Sequence, residues 1–207
     1  AEDRSQLAGH RATLESVGEH LEDALAEHAP TDEQLVAAWH GGDERAFDAL
    51  YDRYAPRITG FALRMLGRRE DAEEVCVETF TRIVEGRWRP EGAFRAWLFT
   101  VAHRCCLERL RRRTLTERGM ALFGATPRPQ PESPESEVLR DERGRTLQRA
   151  IAALPVEHRA TLLLSCAQEL PAREVGTVLG LTEQQVRSQL SYARRLLREQ
   201  LTPGSPE

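Results

Sequence analysis

Two groups of side chains in this sequence could do chemistry, and both suit a polyanion. Wound at 100° per residue, the stretch "EQQVRSQLSYARRLLR" places Val186, Leu190, Ala193 and Leu197 on one narrow face. Gln184, Ser188, Ser191 and Arg195 then point the opposite way, with Arg187, Arg194 and Arg198 along one flank. Glutamine and arginine can bond bidentately to adenine and guanine edges, and arginine also holds phosphates. The second group is "RCCLERLRRR", which gathers Arg104, Arg109, Arg111, Arg112 and Arg113 at the end of a helical pattern. The helix dipole favours cations there, so part of this clustering is structural, but five arginines in ten residues also make an anion-binding patch. Just upstream, "EGRWRPEGAF" sets Trp88 between Arg87 and Arg89 in a Pro/Gly loop. An exposed ring between cations is a stacking platform for an unpaired base, and the competing reading is a tryptophan packed on its own bundle. No Walker motif, HExxH or GxSxG occurs, so the sequence offers no covalent chemistry and no cofactor is expected.

The elements that would position these residues are helices throughout. Thr31 and Gln34 form a capping box before "EQLVAAWH", which stops at Gly41 and Gly42. Phe47, Leu50, Tyr51 and Tyr54 recur at helical spacing, and Pro56 is expected in the first turn of a new helix ending before Gly67. Ala72, Cys76, Phe80 and Ile83 mark the buried face of the next helix, closed by Gly86. Phe94, Leu98, Val101, Ala102 and Cys105 mark that of the one after. "LPVEHRATLLLSCAQEL" reads as one helix from near Pro155. A short helix closed by Gly180 follows, then a helix N-capped by Thr182 with Gln185 completing the box. Short helix, tight glycine turn and longer helix form the helix-turn-helix pattern. The expected class is all-α, with two small helical domains and a C-terminal helix-turn-helix.

Between them, "TPRPQPESPES" has four prolines among polar residues, a linker composition. At about 3.1 Å per residue its eleven residues reach roughly 34 Å, about one turn of duplex DNA. The expected organisation is therefore an acidic helical extension (1–30), an N-terminal domain (31–113), a linker (114–145), a C-terminal domain (146–201) and a tail (202–207).

The 207 residues carry a formal charge of −4, unevenly spread: residues 1–30 hold seven acids against two arginines. All 29 basic residues are arginine, which GC-rich coding explains as readily as phosphate binding. No apolar run approaches the roughly 20 residues that span a bilayer, so membrane insertion is not expected. Cys76, Cys105, Cys106 and Cys166 form no CxxC pair, which points to a reducing cytoplasm. His103 beside Cys105 and Cys106 invites a metal or redox reading, but Cys105 falls on an apolar face and no metal site is expected.

The blocks "GDERAFDALYDRYAPRI", "DAEEVCVETFTRIV", "FRAWLFTVAHR…RLRRR" and "ELPAREVGTVLGLTEQQVRSQLSYARRLLREQL" occur in one order, split by the polar linker. In this arrangement the chain resembles the extracytoplasmic-function (ECF) sigma factors of bacterial RNA polymerase. The resemblance covers residues 33–113 and 147–201. It implies binding to core polymerase and to promoter DNA. It implies that Asp71, Glu74, Glu78, Thr81 and Arg82 dock on the clamp of the largest catalytic subunit, with Val77 standing where the family usually has glutamine. The loop from Arg87 to Gly92 and the helix after it would capture a flipped base and open the −10 region. In that helix Arg104 and Glu108 stand where asparagine and aspartate are usual. The helix from Glu183 would read the −35 element, with Gln189 and Tyr192 replacing residues that are often basic.

Two other readings share these residues. One is a helix-turn-helix regulator that binds duplex DNA without polymerase. The other is a degenerate sigma-like protein that titrates an anti-sigma factor. An anti-sigma factor is also an expected partner of the first reading. Residues 1–30 offer a further control: their acids could mimic DNA, and Leu14, Val17, Leu21 and Leu25 form an apolar stripe that could dock on a domain.

Overall fold

The computed structural model describes residues 30–86, 88, 92–122 and 142–201. The acidic extension before Pro30, Arg87 and Arg89, the proline-rich segment and the C-terminal tail lie outside the described residues.

Helices alone make up the regular structure of the described residues. Helix α1 (Asp32–His40) starts where the capping box was expected: the Thr31 hydroxyl accepts from the Gln34 amide at 3.2 Å, and Gln34 Oε1 accepts from the Thr31 amide at 2.9 Å. Helix α2 (Glu44–Leu66) opens on Asp43 and ends at Gly67, whose φ of 74° is the left-handed conformation glycine adopts without strain. Pro56 does not begin a new helix here; it lies inside α2. Proline removes one ladder bond at a cost of about 3 kcal/mol. Burial of Leu50, Tyr54, Ala55, Ile58 and Phe61 on both sides of it favours one continuous rod. Tyr51, expected on the packed face, is 44% exposed and only rests its ring on Phe80, 4.8 Å between centroids.

Helix α3 (Arg69–Val84) buries Ala72, Val75, Cys76, Phe80 and Ile83. Helix α4 (Phe94–Leu122) buries Phe94, Leu98, Phe99, Val101, Ala102, Cys105 and Cys106. It runs past Arg113, where a linker was expected to begin. The leucines, glutamate, arginine, methionine and alanine of "TLTERGMAL" favour the extra turns, while Thr114 and Thr116, weaker helix formers, satisfy their hydroxyls on the carbonyls of Leu110 and Arg112.

The C-terminal helices are α5 (Glu142–Ala153), α6 (Val156–Leu162), α7 (Ala172–Leu179) and α8 (Glu183–Leu201). The single helix expected from Pro155 instead loosens into a π-helical turn over Leu163–Ala167. Glu169 then takes a positive φ of 54°. This irregular end swings Gln168 towards α2.

The two halves are not held apart. Leu163, Leu164, Leu170, Val175, Val178 and Val186 join the same apolar core as α1 to α4. "TLLLS" carries the reason. Leu163 and Leu164 enter the shared core, while Leu162 turns to a smaller cluster with Leu154 and Ala193 inside the C-terminal half. Three consecutive leucines cannot face one side of one helix, so a second surface is needed. Polar contacts border the seam. Arg57 donates to Gln168 Oε1 at 3.1 Å and to its carbonyl at 2.8 Å, and Gln168 Nε2 donates back to the Arg57 carbonyl at 3.4 Å. Arg95 pairs with Glu174 at 3.0 Å, and Arg159 donates to the Met65 carbonyl at 2.8 Å.

Candidate nucleic-acid interface

The best-defined candidate surface lies on α8. Thr182 caps the helix as its sequence indicates: its hydroxyl accepts from the Gln185 amide at 3.2 Å, and Gln185 Oε1 accepts from the Thr182 amide at 2.8 Å. The turn before it depends on Gly176. A Cβ there would lie 2.5 Å from the Leu181 carbonyl oxygen, a backbone atom that cannot step aside. Gly180, at φ 70°, completes the turn. With that geometry fixed, Val186 and Ala193 are buried, with Leu190 and Leu197 partly buried beside them. Gln184, Arg187, Ser188, Ser191, Arg194 and Arg195 are exposed on the other sides.

The arginines of α8 are held loosely. Arg187 lies 3.5 Å from Glu183, and Arg195 lies 3.8 Å from Glu199 and over the Tyr192 ring at 4.9 Å. Arg194 donates to Cys166 Sγ at 3.7 Å. Gln189 is differently placed. Its Oε1 accepts from the buried Thr161 hydroxyl at 2.7 Å, so it ties α6 to α8 and does not face outward. Tyr192 packs its ring on His158, 4.7 Å between centroids. Both residues the resemblance marks as departures on this helix thus contact α6.

The second surface combines α3 and α4, and its arginines differ among themselves. Arg109 bonds Glu78 at 2.8 Å and Glu74 at 3.3 Å, while Arg82 bonds the other oxygen of Glu78 at 2.8 Å. Partial burial alone would raise the Glu78 pKa. The hydrogen bonds and charges of Arg109 and Arg82 outweigh it and hold the carboxyl down at about 2. Arg113 pairs with Asp71 at 2.6 Å and donates to the Leu66 carbonyl at 3.1 Å. Arg104, Arg111 and Arg112 are exposed, Arg112 beside Glu108 one turn earlier. On α3, Val77 is 63% exposed, and Thr81 and Glu74 are also exposed.

Trp88 is not an exposed platform in this conformation. It is 8% exposed and meets the Phe94 ring edge-on at 5.6 Å. A large ring next to an apolar core loses less by entering it than by remaining in the polar loop its neighbours suggest. Burial raises the pKa of Cys106 to about 12 and that of Cys105 to about 11, the latter also through nearby Glu78. Both are therefore poor thiolates near neutral pH. Burial, with Arg104 adding to it, lowers that of His103 to about 4. Among the described residues no helix is long and apolar enough to cross a membrane.

A helical bundle that ends in a helix-turn-helix, with an arginine-lined helix at the end of the bundle, is the arrangement of sigma-70-type factors. The chain matches sigma-70 region 2 over residues 50–116 and sigma-70 region 4 over residues 144–197. It is 31% identical over 182 residues to the RNA polymerase sigma-H factor of Pseudomonas aeruginosa, covering 83% of this chain and 94% of that one. It is 35% identical over 161 residues to the ECF RNA polymerase sigma factor SigL of Mycobacterium tuberculosis, covering 72% and 85%. Among solved structures it superposes on CnrH in complex with the cytosolic domain of CnrY, with a TM-score of 0.62 at 22% identity over 82% of this chain and 96% of that one. It also superposes on RpoE of Bartonella quintana in complex with the anti-sigma factor NepR, at 0.59, 20%, 75% and 96%. The chain belongs to the ECF sigma factors of bacterial RNA polymerase. It binds core polymerase and promoter DNA and directs promoter-specific initiation.

Proposed function

We propose that this sigma factor reads the −35 element with the exposed face of α8, through Gln184, Arg187, Ser188, Ser191, Arg194 and Arg195. One observation carries the assignment: these residues project from a rigidly capped helix whose opposite face is buried. Arg104, Arg111 and Arg112 contact −10 phosphates directly. Arg109 and Arg113 reach them only after parting from Glu78 and Asp71. Docking on polymerase uses α3, with Val77 as an apolar centre ringed by Glu74, Glu78, Asp71, Thr81 and Arg82. The protein acts in the cytoplasm, without covalent chemistry or cofactor, and an anti-sigma factor is among its partners, as the crystallised RpoE has NepR.

The seam between the halves bears on how this works. The −35 and −10 elements are some 25 base pairs apart by their numbering, or about 85 Å at 3.4 Å per base pair. Two readers sharing one apolar core do not span that distance, so promoter engagement requires the halves to separate. Run-off transcription with core polymerase tests the reading. Full-length transcript from one promoter class, lost in the Arg187→Ala/Arg195→Ala chain while polymerase binding persists, is expected. Tight duplex binding without polymerase, and no transcript with it, would overturn the assignment in favour of an independent regulator.

A further inference from the structure

A cavity of about 610 Å³ lies across the seam, between the second half of α4 and the C-terminal helices. Leu107, Leu110 and Leu115 line it from α4, and Val156, Leu179 and Leu181 from the other half. Leu115 is 67% exposed, an apolar side chain left at the rim. Arg111 also lines it, and Arg104 lies seven residues earlier on α4, two turns along the same face.

The chain itself supplies a matching segment. Residues 1–29 precede a fixed point at the start of α4: the Pro30 carbonyl accepts from Arg53 at 3.2 Å, and the Phe94 amide donates to Glu33 at 3.3 Å. The seam starts nearby, where Arg95 meets Glu174 at the head of α7. Both α4 and α7 then lead from there to the cavity. In helical spacing, Leu14, Val17, Leu21 and Leu25 form one stripe, and Glu15 and Glu22 flank it on one side, seven residues apart. Counting back from Pro30, Glu22 is eight residues away and Glu15 fifteen. Counting on from Phe94, Arg104 is ten away and Arg111 seventeen. An antiparallel helix beside α4 would meet both arginines with one common offset of two residues, about 3 Å. Its Leu14, Val17 and Leu21 would come level with the apolar lining.

We infer that the acidic N-terminal segment docks as an amphipathic helix in this cavity, with Glu22 beside Arg104 and Glu15 beside Arg111. Such a helix would meet lining residues from both halves of the molecule. In cis, a short tether gives an effective concentration on the order of 1 mM, so even a weak contact stays largely formed. The consequence for initiation rests on the function proposed above: promoter DNA would have to displace the segment to reach Arg104 and Arg111.

Hydrogen exchange of the full-length chain tests the docking without any polymerase, so its failure is distinct from failure of the sigma reading. Glu15→Arg and Arg111→Glu should each speed exchange of the α4 amides from 107 to 115 by roughly three- to fivefold, the scale of one exposed ion pair reversed. The double variant Glu15→Arg/Arg111→Glu should restore slow exchange, and Leu21→Asp should speed it about tenfold or more. The amides of α2 report that the fold is intact in every variant. The inference is overturned if the single variants exchange like the parent, or if the double variant is no slower than either. It also fails if protection persists in a chain beginning at Thr31, which would assign the cover to another segment. Protection that depends on protein concentration would assign the cavity to a second copy and overturn it too.

Discussion

The arginines of α8 and those of α4 are the same residue in the same kind of element, yet the structure uses them differently. On α8 the Arg187 and Arg195 side chains are 68% and 61% exposed; each pairs with a glutamate one turn away, and Arg195 also lies over the Tyr192 ring of its own helix. On α4 the Arg109 side chain is 18% exposed and bonds two acids of a neighbouring helix. An exposed i,i+4 pair is worth about 0.3–0.5 kcal/mol and gives way readily to a phosphate. A part-buried arginine shared between two carboxylates resists, because leaving the acids unpaired carries a desolvation cost. Cation count along a helix therefore overstates the freely exposed arginine surface of α4 more than that of α8.

Trp88 gives the largest expected effect, because it decides whether the loop before α4 belongs with the core or with the DNA surface. Trp88→Ala should cost about 3–5 kcal/mol of stability, the usual range for a buried aromatic cut to alanine. Thermal unfolding of the isolated factor measures it. A variant as stable as the parent but poor at opening promoters would return Trp88 to the DNA side of the divide.

The tie between α3 and α4 comes next. Arg109→Ala should destabilise the chain by about 1–3 kcal/mol, through the loss of hydrogen bonds to charged partners. Glu78 adds a pH signature. Its folded pKa lies below its unfolded value, so its contribution is complete above about pH 4.5 and disappears as pH falls towards 2. Denaturant midpoints across that window should fall more steeply in the parent than in Glu78→Gln. Parallel curves would mean that the tie contributes little.

Much of this was legible in the sequence. Thr31, Thr182, Gly67 and Gly180 announce helix ends through local hydrogen bonding and backbone freedom, which need no knowledge of the rest of the chain. Val186 and Ala193 follow from periodicity alone. What escaped depends on partners distant in sequence. Nothing in "CCLERLRRR" says that Asp71, Glu74 and Glu78 stand opposite. Nothing in a proline-rich segment says whether the halves it joins will dock. Arg57, Arg95, Gln168 and Glu174, which border the seam, read as ordinary solvated residues. The run Leu162, Leu163 and Leu164 was the available signal, since it holds more apolar surface than one small helical domain can face. Pro56 misled for a related reason: its local penalty is real but smaller than the burial around it.

On α8 the difference should show as a split between binding and folding. Arg187→Ala and Arg195→Ala should each weaken binding of the polymerase complex to promoter DNA by about 1–3 kcal/mol. Their unfolding midpoints should hardly move, since each loses only a solvent-exposed pair. Gly176→Ala is the contrasting control. It should unseat α8 through the clash with the Leu181 carbonyl and lower stability and promoter binding together. Equal losses on specific and random duplexes for both arginine variants would leave α8 an electrostatic surface without groove readout.

Arg112 is the smallest and the most discriminating case, because it is on α4 but resembles the arginines of α8. Its side chain is 74% exposed, and it pairs with Glu108, a turn away on the same helix. Its removal should change stability by less than about 0.5 kcal/mol, as for most exposed substitutions. If it touches a phosphate of the −10 region, Arg112→Ala should instead flatten the salt dependence of promoter binding. Each phosphate that is no longer neutralised lowers the slope of log K against log salt by about 0.9 on duplex and about 0.7 on a single strand. A drop in slope with an unchanged unfolding midpoint places Arg112 with Arg187 and Arg195, and the relevant distinction is then exposure, independent of helix. An unchanged slope confines the usable cations of α4 to Arg104 and Arg111. The same titration on Arg109→Ala separates the two kinds of arginine directly, since a residue locked to Glu78 alters the slope only if binding first releases it.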